Sequence, residues 1–368
     1  MAKTMRVRDR QVKAISIAIQ AGVPICVIGP PGTGKTQTIN AIARALGRPI
    51  WTVIAGLREP SDFAGLPVVI DGKVHMVAPK WAEDSAAAHG IDFFDEITCT
   101  SPRTQAAMLR VVNENVCGET DMTGVSFVLA GNPADQAAGG YDLTGPMANR
   151  LCWMSWEQDC DSWCDGMMSG FTMPALPKLP ENWEEQIPQA RAYVAGFIHA
   201  FPQKQLMIPK DESGWGGAWA SPRTWDMSAR LMAACKAAGI NGEVEAELLS
   251  GCIGHGLALE FITWLRDMDM PDPEAILRNP KEFKIPNRSD KTYTVLASVA
   301  ACVVAKLTVD RWNAGWKVLK AAAEQGTVDI AAAAARQLAS NRPKGAPAPD
   351  EAAIFLPLFQ AAGLLGGE

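Results

Sequence analysis

Apolar positions between Arg8 and Gln20 fall at Val12, Ile15, Ile17 and Ile19 and stop just before Gly22, the pattern of a short helix closed by a glycine. Ile25 to Ile28 is a continuous apolar run that ends at Gly29, and beyond a glycine-rich turn Lys35 to Leu46 has helical composition up to Gly47. That order predicts strand, tight loop, helix. Further buried strands are predicted over Ile50 to Ile54, Ile91 to Phe94, Val125 to Ala130 and Leu151 to Trp156, with helical stretches such as Thr104 to Val112 between them. Alternation of this kind implies an α/β fold with a parallel sheet flanked by helices and ligands at the carboxyl ends of the strands.

Between the second and third of these strands, Val68 to Ile70 and Lys73 to Met76 are β-prone arms separated by Asp71-Gly72, a strong local signal for a hairpin. The composition changes after Trp156. Pro174, Pro177, Pro180 and several glycines give 157–181 the character of a linker, and from Asn182 onwards the chain is mostly alanine-rich and leucine-rich helical segments. Asn341 to Asp350, with Pro343, Pro347 and Pro349, reads as a loop before a last short helix. The expected organisation is an α/β domain over 1–156 carrying a hairpin insertion near 66–79, a linker over 157–181, a helical lid over 182–280 and a helical carboxyl-terminal extension over 281–368.

The 368 residues are 48% hydrophobic and 20% charged, enough apolar material for a sizeable core. A net charge of −6 supplies no global positive field, which disfavours nucleic acid as a partner. The odd count of nine cysteines, several of them in apolar runs, suits buried free thiols in a reducing compartment better than a disulfide framework. Cys152, Cys160 and Cys164 are too loosely spaced, with no histidine suitably placed, to read as a metal site. The first ten residues lack an apolar stretch, and the longest apolar run, Val295 to Val304, is too short to cross a bilayer. A soluble cytoplasmic protein is expected.

Gly29, Pro30, Pro31, Gly32, Thr33, Gly34, Lys35 and Thr36 satisfy the pattern G-x-x-x-x-G-K-[ST]. Its glycines let backbone N–H groups turn inward around phosphates, its lysine supplies a cation for the β and γ phosphates, and its hydroxyl can ligate Mg²⁺. Ile91 to Glu96 is an apolar strand ending in two adjacent carboxylates. Asp95 is placed to hold Mg²⁺ and Glu96 to polarise an attacking water.

Together with the strand ending Leu129, Ala130, Gly131, Asn132, Pro133, these two motifs resemble the AAA+ ATPases, and more closely their MoxR and midasin-like branch. Ser61 to Gly65 followed by the hairpin is similar to that branch's insertion in its second helix. Asp95, Glu96, Ile97 followed by Gln105 to Leu109 is similar to its Walker B strand and the helix after it. Tyr141 to Leu143 leading to Ala148, Asn149, Arg150 is similar to the approach to its arginine finger, and Ser221, Pro222, Arg223 to its sensor 2. The resemblance extends over about residues 8–156, is carried by motifs to about 235, and is weak beyond.

The resemblance implies ATP with Mg²⁺ held at Thr36 and Asp95, Asn132 as sensor 1, Arg150 reaching the site of a neighbouring subunit, and Arg223 contacting the phosphates of its own. It also implies a hexameric ring and a protein partner, often one with a von Willebrand factor A domain. Asn149 and Leu151 flank Arg150 where the family would have an acidic residue and an aromatic, and Arg103 is therefore a rival for the finger. A nucleic-acid translocase would use the same phosphate chemistry but requires a pore loop rich in Lys and Arg, whereas the hairpin carries only Lys73 and His75. A nucleotide-gated scaffold with little turnover is the remaining alternative, and intact Asp95, Glu96 and Asn132 argue against it. The tryptophans at 153, 156, 163, 215, 219 and 225 read as packing at a domain junction, and Glu243 to Glu247 as a solvated helix face.

Overall fold

The computed structural model describes residues 5–137, 140–211, 214–240 and 242–361. The chain forms two compact units, one of Met1–Pro180 with Leu206–Leu259 and one of Glu181–Gln205 with Glu260–Glu368.

The first unit begins with α1 (Val7–Ala21), which ends on Gly22 in the left-handed conformation, as the glycine signal predicts. Then come β1 (Ile25–Ile28), α2 (Lys35–Leu46), β2 (Ile50–Ile54), α3 (Ser61–Ala64), the hairpin β3 (Leu66–Ile70) and β4 (Lys73–Val77), α4 (Lys80–Ala88) and β5 (Ile91–Asp95). After α5 (Pro102–Glu114), a small ribbon of β6 (Val116–Cys117) and β7 (Thr120–Asp121) precedes β8 (Ser126–Gly131), α6 (Gly145–Ala148), β9 (Cys152–Ser155) and α7 (Cys160–Ser169). The five long strands predicted from apolar runs make one sheet in the order β2-β5-β8-β1-β9, with every pairing parallel.

Because side chains alternate across a strand, the sheet buries two cores. Phe94 and Phe127 meet Phe63 and Trp81 on one face. The hairpin, a separate two-stranded sheet, turns on Asp71 and Gly72, both at positive φ (50° and 74°), the backbone a two-residue loop requires. Its arms expose Leu66, Val68, Val69, Ile70 and Val74, while Glu119 anchors its base by accepting from the Met76 N–H (3.0 Å) and pairing with His75 Nδ1 (2.9 Å).

Residues 157–181, expected as a linker, contain α7. Asp159 caps its first turn by accepting from the N–H groups of Asp161 and Ser162, a local bond that starts a helix where periodicity in CDSWCDGMMS is weak. The segment 182–280, expected as one lid, divides between the units. Its α9 (Pro222–Ala237) and α10 (Glu243–Ile253) pack on α1 and β9. A Cβ at Gly251 would come within 2.1 Å of the Trp153 carbonyl oxygen, so the glycine lets α10 lie directly on the strand. Glu247, expected on a solvated face, instead accepts from Arg10 Nε at 2.7 Å, and its carboxyl is pushed up by burial against the opposing pull of that guanidinium.

The second unit contains α8 (Ile187–Ala200), most of α11 (His255–Met268), and α12 (Pro273–Arg278), α13 (Ser289–Ala305), α14 (Val309–Glu324), α15 (Val328–Ser340) and α16 (Leu356–Ala361). Its core is built around Trp312, Trp316 and Phe355, and the Arg311 guanidinium forks onto both oxygens of Glu274 at 2.8 Å. Among the described residues no helix is long and apolar enough to cross a membrane. All nine cysteines are free thiols, and among the described residues no cluster of three or more His, Cys, Asp or Glu could hold a metal.

Candidate nucleotide-binding site

The carboxyl ends of β1, β5 and β8 meet at one mouth. Beyond β1 the chain passes through Gly32 and Gly34 at φ 75° and 82° and enters α2 at Lys35. Only glycine adopts that backbone without strain, and the turn aims free N–H groups of the α2 amino end at the mouth. Gly29 answers a different demand, since a Cβ there would lie 2.6 Å from the Trp156 carbonyl oxygen. The neighbouring strand thus presses on the start of the loop. From its other side, Trp156 Nε1 (3.1 Å) and Gln158 Nε2 (2.6 Å) both donate to the Thr33 carbonyl, and the loop is clamped in shape.

Lys35 is buried, and its ammonium donates to the carbonyls of Gly29 (2.7 Å) and Pro30 (2.9 Å) and to Asn132 Oδ1 (3.0 Å). Burial pulls its pKa down, and the charge of Asp95 works the other way. Thr36 Oγ1 donates to Asp95 Oδ2 at 2.8 Å. The other Asp95 oxygen accepts from the Glu96 N–H at 2.9 Å, which turns Glu96 outward at φ 57°, an unfavoured conformation for a non-glycine residue. Backbone strain of this kind, about 1 to 3 kcal/mol, concentrates at functional sites.

These groups line a cavity of about 710 Å³ that takes in 31–36, Asp95, Glu96 and Asn132. The structure therefore brings Lys35, Thr36, Asp95, Glu96 and Asn132 to one place. It does not bring the two arginines there. Arg150 and Arg223 are absent from the cavity lining: burial lowers the Arg150 pKa, the positive charge of Arg223 lowers it further, and the Glu114 carboxylate works the other way. Arg223, expected to reach its own phosphates, lies outside the cavity lining, within electrostatic reach of Arg150. Arg103, the rival finger, is exposed at the start of α5.

Sequence reasoning missed the far wall of the cavity. It is formed by Arg8, Trp163, Phe171 and Met173, with the Arg8 guanidinium 5.6 Å above the Phe171 ring and Arg6 paired to Asp165 at 2.6 Å. Trp163 and Phe171 are 49% and 53% exposed, apolar faces turned to an open chamber. The overlooked signal was Asp159, a helix cap inside a stretch read as linker.

Residues 24–138, from the start of β1 to just beyond β8, match the family model described as AAA domain (dynein-related subfamily). The Lon protease of Clostridioides difficile (strain 630) is 30% identical over 97 residues, covering 25% of this chain and 12% of that protein. Lon protease 2 of Hydrogenovibrio crunogenus is 24% identical over 163 residues, covering 39% and 18%. An uncharacterised AAA domain-containing protein of Schizosaccharomyces pombe is 28% identical over 142 residues, covering 36% and 17%. The chain spans less than a fifth of the length of each of these relatives. Residues 24–138 therefore carry an AAA domain of the dynein-related type.

Proposed function

We propose that this chain is an ATP-hydrolysing motor of the MoxR type, which works as a ring-shaped homo-oligomer and remodels or activates a protein partner. The observation that carries the reading is the convergence of Lys35, Thr36, Asp95 and Asn132 through direct hydrogen bonds in one cavity. Lys35, now bonded to carbonyls of its own loop, has an ammonium ready to transfer to the β and γ phosphates. Glu96 orients and deprotonates the attacking water, and Asn132 holds that water against the γ-phosphoryl group. The Thr36 hydroxyl and Asp95 carboxylate are adjacent hard oxygen donors that suit Mg²⁺. Once bound, that ion would neutralise charge on the phosphate oxygens.

Hydrolysis is tested by separating binding from turnover. Lys35→Ala should abolish binding of a fluorescent ATP analogue, whereas Glu96→Gln should bind it and fail to release phosphate. Wild-type turnover by Glu96→Gln would refute the assignment.

The placement of Arg150 and Arg223 supports a site shared between subunits. Arg150 feels the charge of Arg223 as well as that of Glu114, and a polyanion from outside the chain would be attracted to both guanidiniums. We assign that anion to the γ-phosphate of a neighbouring subunit, with both arginines acting in trans. An arginine finger contributes roughly 10³ to 10⁵ in rate. Arg150→Ala should therefore nearly silence hydrolysis and leave ATP affinity intact. Rings mixed from Arg150→Ala and Lys35→Ala subunits should recover activity where an intact loop meets an intact finger. A homo-hexamer is the ring size the family suggests, and a protein with a von Willebrand factor A domain is the partner class.

A further inference from the structure

The residue before Arg150 is Asn149, and its side chain is 5% exposed although it is an amide. A buried amide needs partners for its donor and its acceptor. It finds both in the segment that leads to Arg223. Asn149 Nδ2 donates to the Trp219 carbonyl at 3.2 Å, and Ser221 Oγ donates to Asn149 Oδ1 at 2.7 Å. Ser221 is the cap of α9: its hydroxyl oxygen accepts from the Thr224 N–H at 3.3 Å, and its own N–H donates to Thr224 Oγ1 at 2.8 Å. The Ser221 hydroxyl has one proton, and that proton is committed to Asn149. The two segments are otherwise far apart in sequence, 72 residues at this bond.

We infer that Asn149 is a positioning residue that latches Arg150 to the Ser221–Arg223 turn, so that both guanidiniums are presented to a phosphate as one preset pair. The inference rests on the proposed trans role of Arg150. Its physical basis is that like charges drift apart unless the backbone beneath them is held. Burial lowers the Arg150 pKa first, and the charge of Arg223 adds to that lowering against the pull of Glu114. Asn149 holds the backbone on the Arg150 side and Ser221 on the Arg223 side. Asparagine suits the position because its amide both donates to a carbonyl and accepts from a hydroxyl. A carboxylate could not donate to the Trp219 carbonyl.

Asn149→Ala breaks both bonds. The full-length protein carrying it should assemble and bind ATP as the wild type does, while its kcat falls about tenfold, the scale of one or two misplaced hydrogen bonds. The discriminating readout is the double variant. If Asn149 acts through Arg150, adding Asn149→Ala to Arg150→Ala should cause no further loss in the residual rate, followed by release of labelled phosphate. Should Asn149→Ala fail to fold, Ser221→Ala cuts the same bond from the other end while also removing the α9 cap, so it is read through the double variant with Arg150→Ala, with Ser221→Thr, which keeps the hydroxyl for both bonds, expected to stay near wild type. A wild-type kcat in Asn149→Ala, or a loss that compounds in the double variant, would overturn the inference while leaving the trans reading intact. Wild-type hydrolysis by Arg150→Ala would overturn the trans reading, and the inference with it.

Discussion

Asp92 lies three residues before Asp95 on β5, and its side chain points into the core face opposite that of Asp95. It is fully buried beside Ser85, and burial pushes its carboxyl from the ordinary 3.8 up to about 7, against a smaller lowering by the Ser85 hydroxyl. In the unfolded chain the proton leaves near 3.8, and in the folded chain near 7. Between these values the folded state holds one more proton, so stability is fully present below pH 3.8 and is lost as pH rises through 7. At 1.36 kcal/mol per pH unit the gap corresponds to about 4 kcal/mol, an upper figure because structure relaxes around a buried charge. Asp92→Asn keeps the shape and removes the titration. Its unfolding free energy relative to wild type should therefore climb by about 2 to 4 kcal/mol between pH 4 and pH 8. The assay is urea denaturation across that range, with hydrogen exchange at β5 amides isolating the sheet from the second unit. Parallel pH profiles for the two proteins would refute the reasoning.

Other perturbations separate the parts of the site. Gly29→Ala drives a methyl against the Trp156 carbonyl, so ATP affinity should fall at least about tenfold and stability by roughly 1 to 3 kcal/mol, measured by nucleotide titration and denaturation. Trp163→Ala and Phe171→Ala should each weaken ATP about tenfold if a base stacks in that chamber, but leave tripolyphosphate binding unchanged; equal losses for both ligands would show the wall supports the phosphate loop instead. Replacing 68–76 with a short glycine linker should spare ATP binding and uncouple partner-stimulated turnover, and loss of ATP binding would show that the hairpin supports the core.

The phosphate half of the site was legible because its chemistry depends on contiguous residues. Glycines that must take positive φ, a lysine at a helix start and two acids at a strand end each declare themselves within eight residues, and the apolar runs that precede them are strands because a parallel sheet is buried on both faces. The structure reproduces β1 and β2 with the predicted bounds and places the hairpin turn on Asp71 and Gly72. What was not legible is long-range. Nothing near Arg8 announces Phe171, and nothing near Glu247 announces Arg10, since each contact depends on where a distant helix lands. The same limit explains α7, whose start rests on one capping carboxylate rather than on periodicity. It also explains Arg223. Its motif names a phosphate-binding arginine, but where that arginine stands depends on α9 packing with α1 and on Ser221 meeting Asn149, contacts between segments far apart in sequence. Asn149 looked like a departure from the expected pattern beside Arg150 because its reason for being an amide is Trp219 and Ser221. A short motif can therefore identify a charge suited to phosphate, while the packing of elements around it decides where that charge stands.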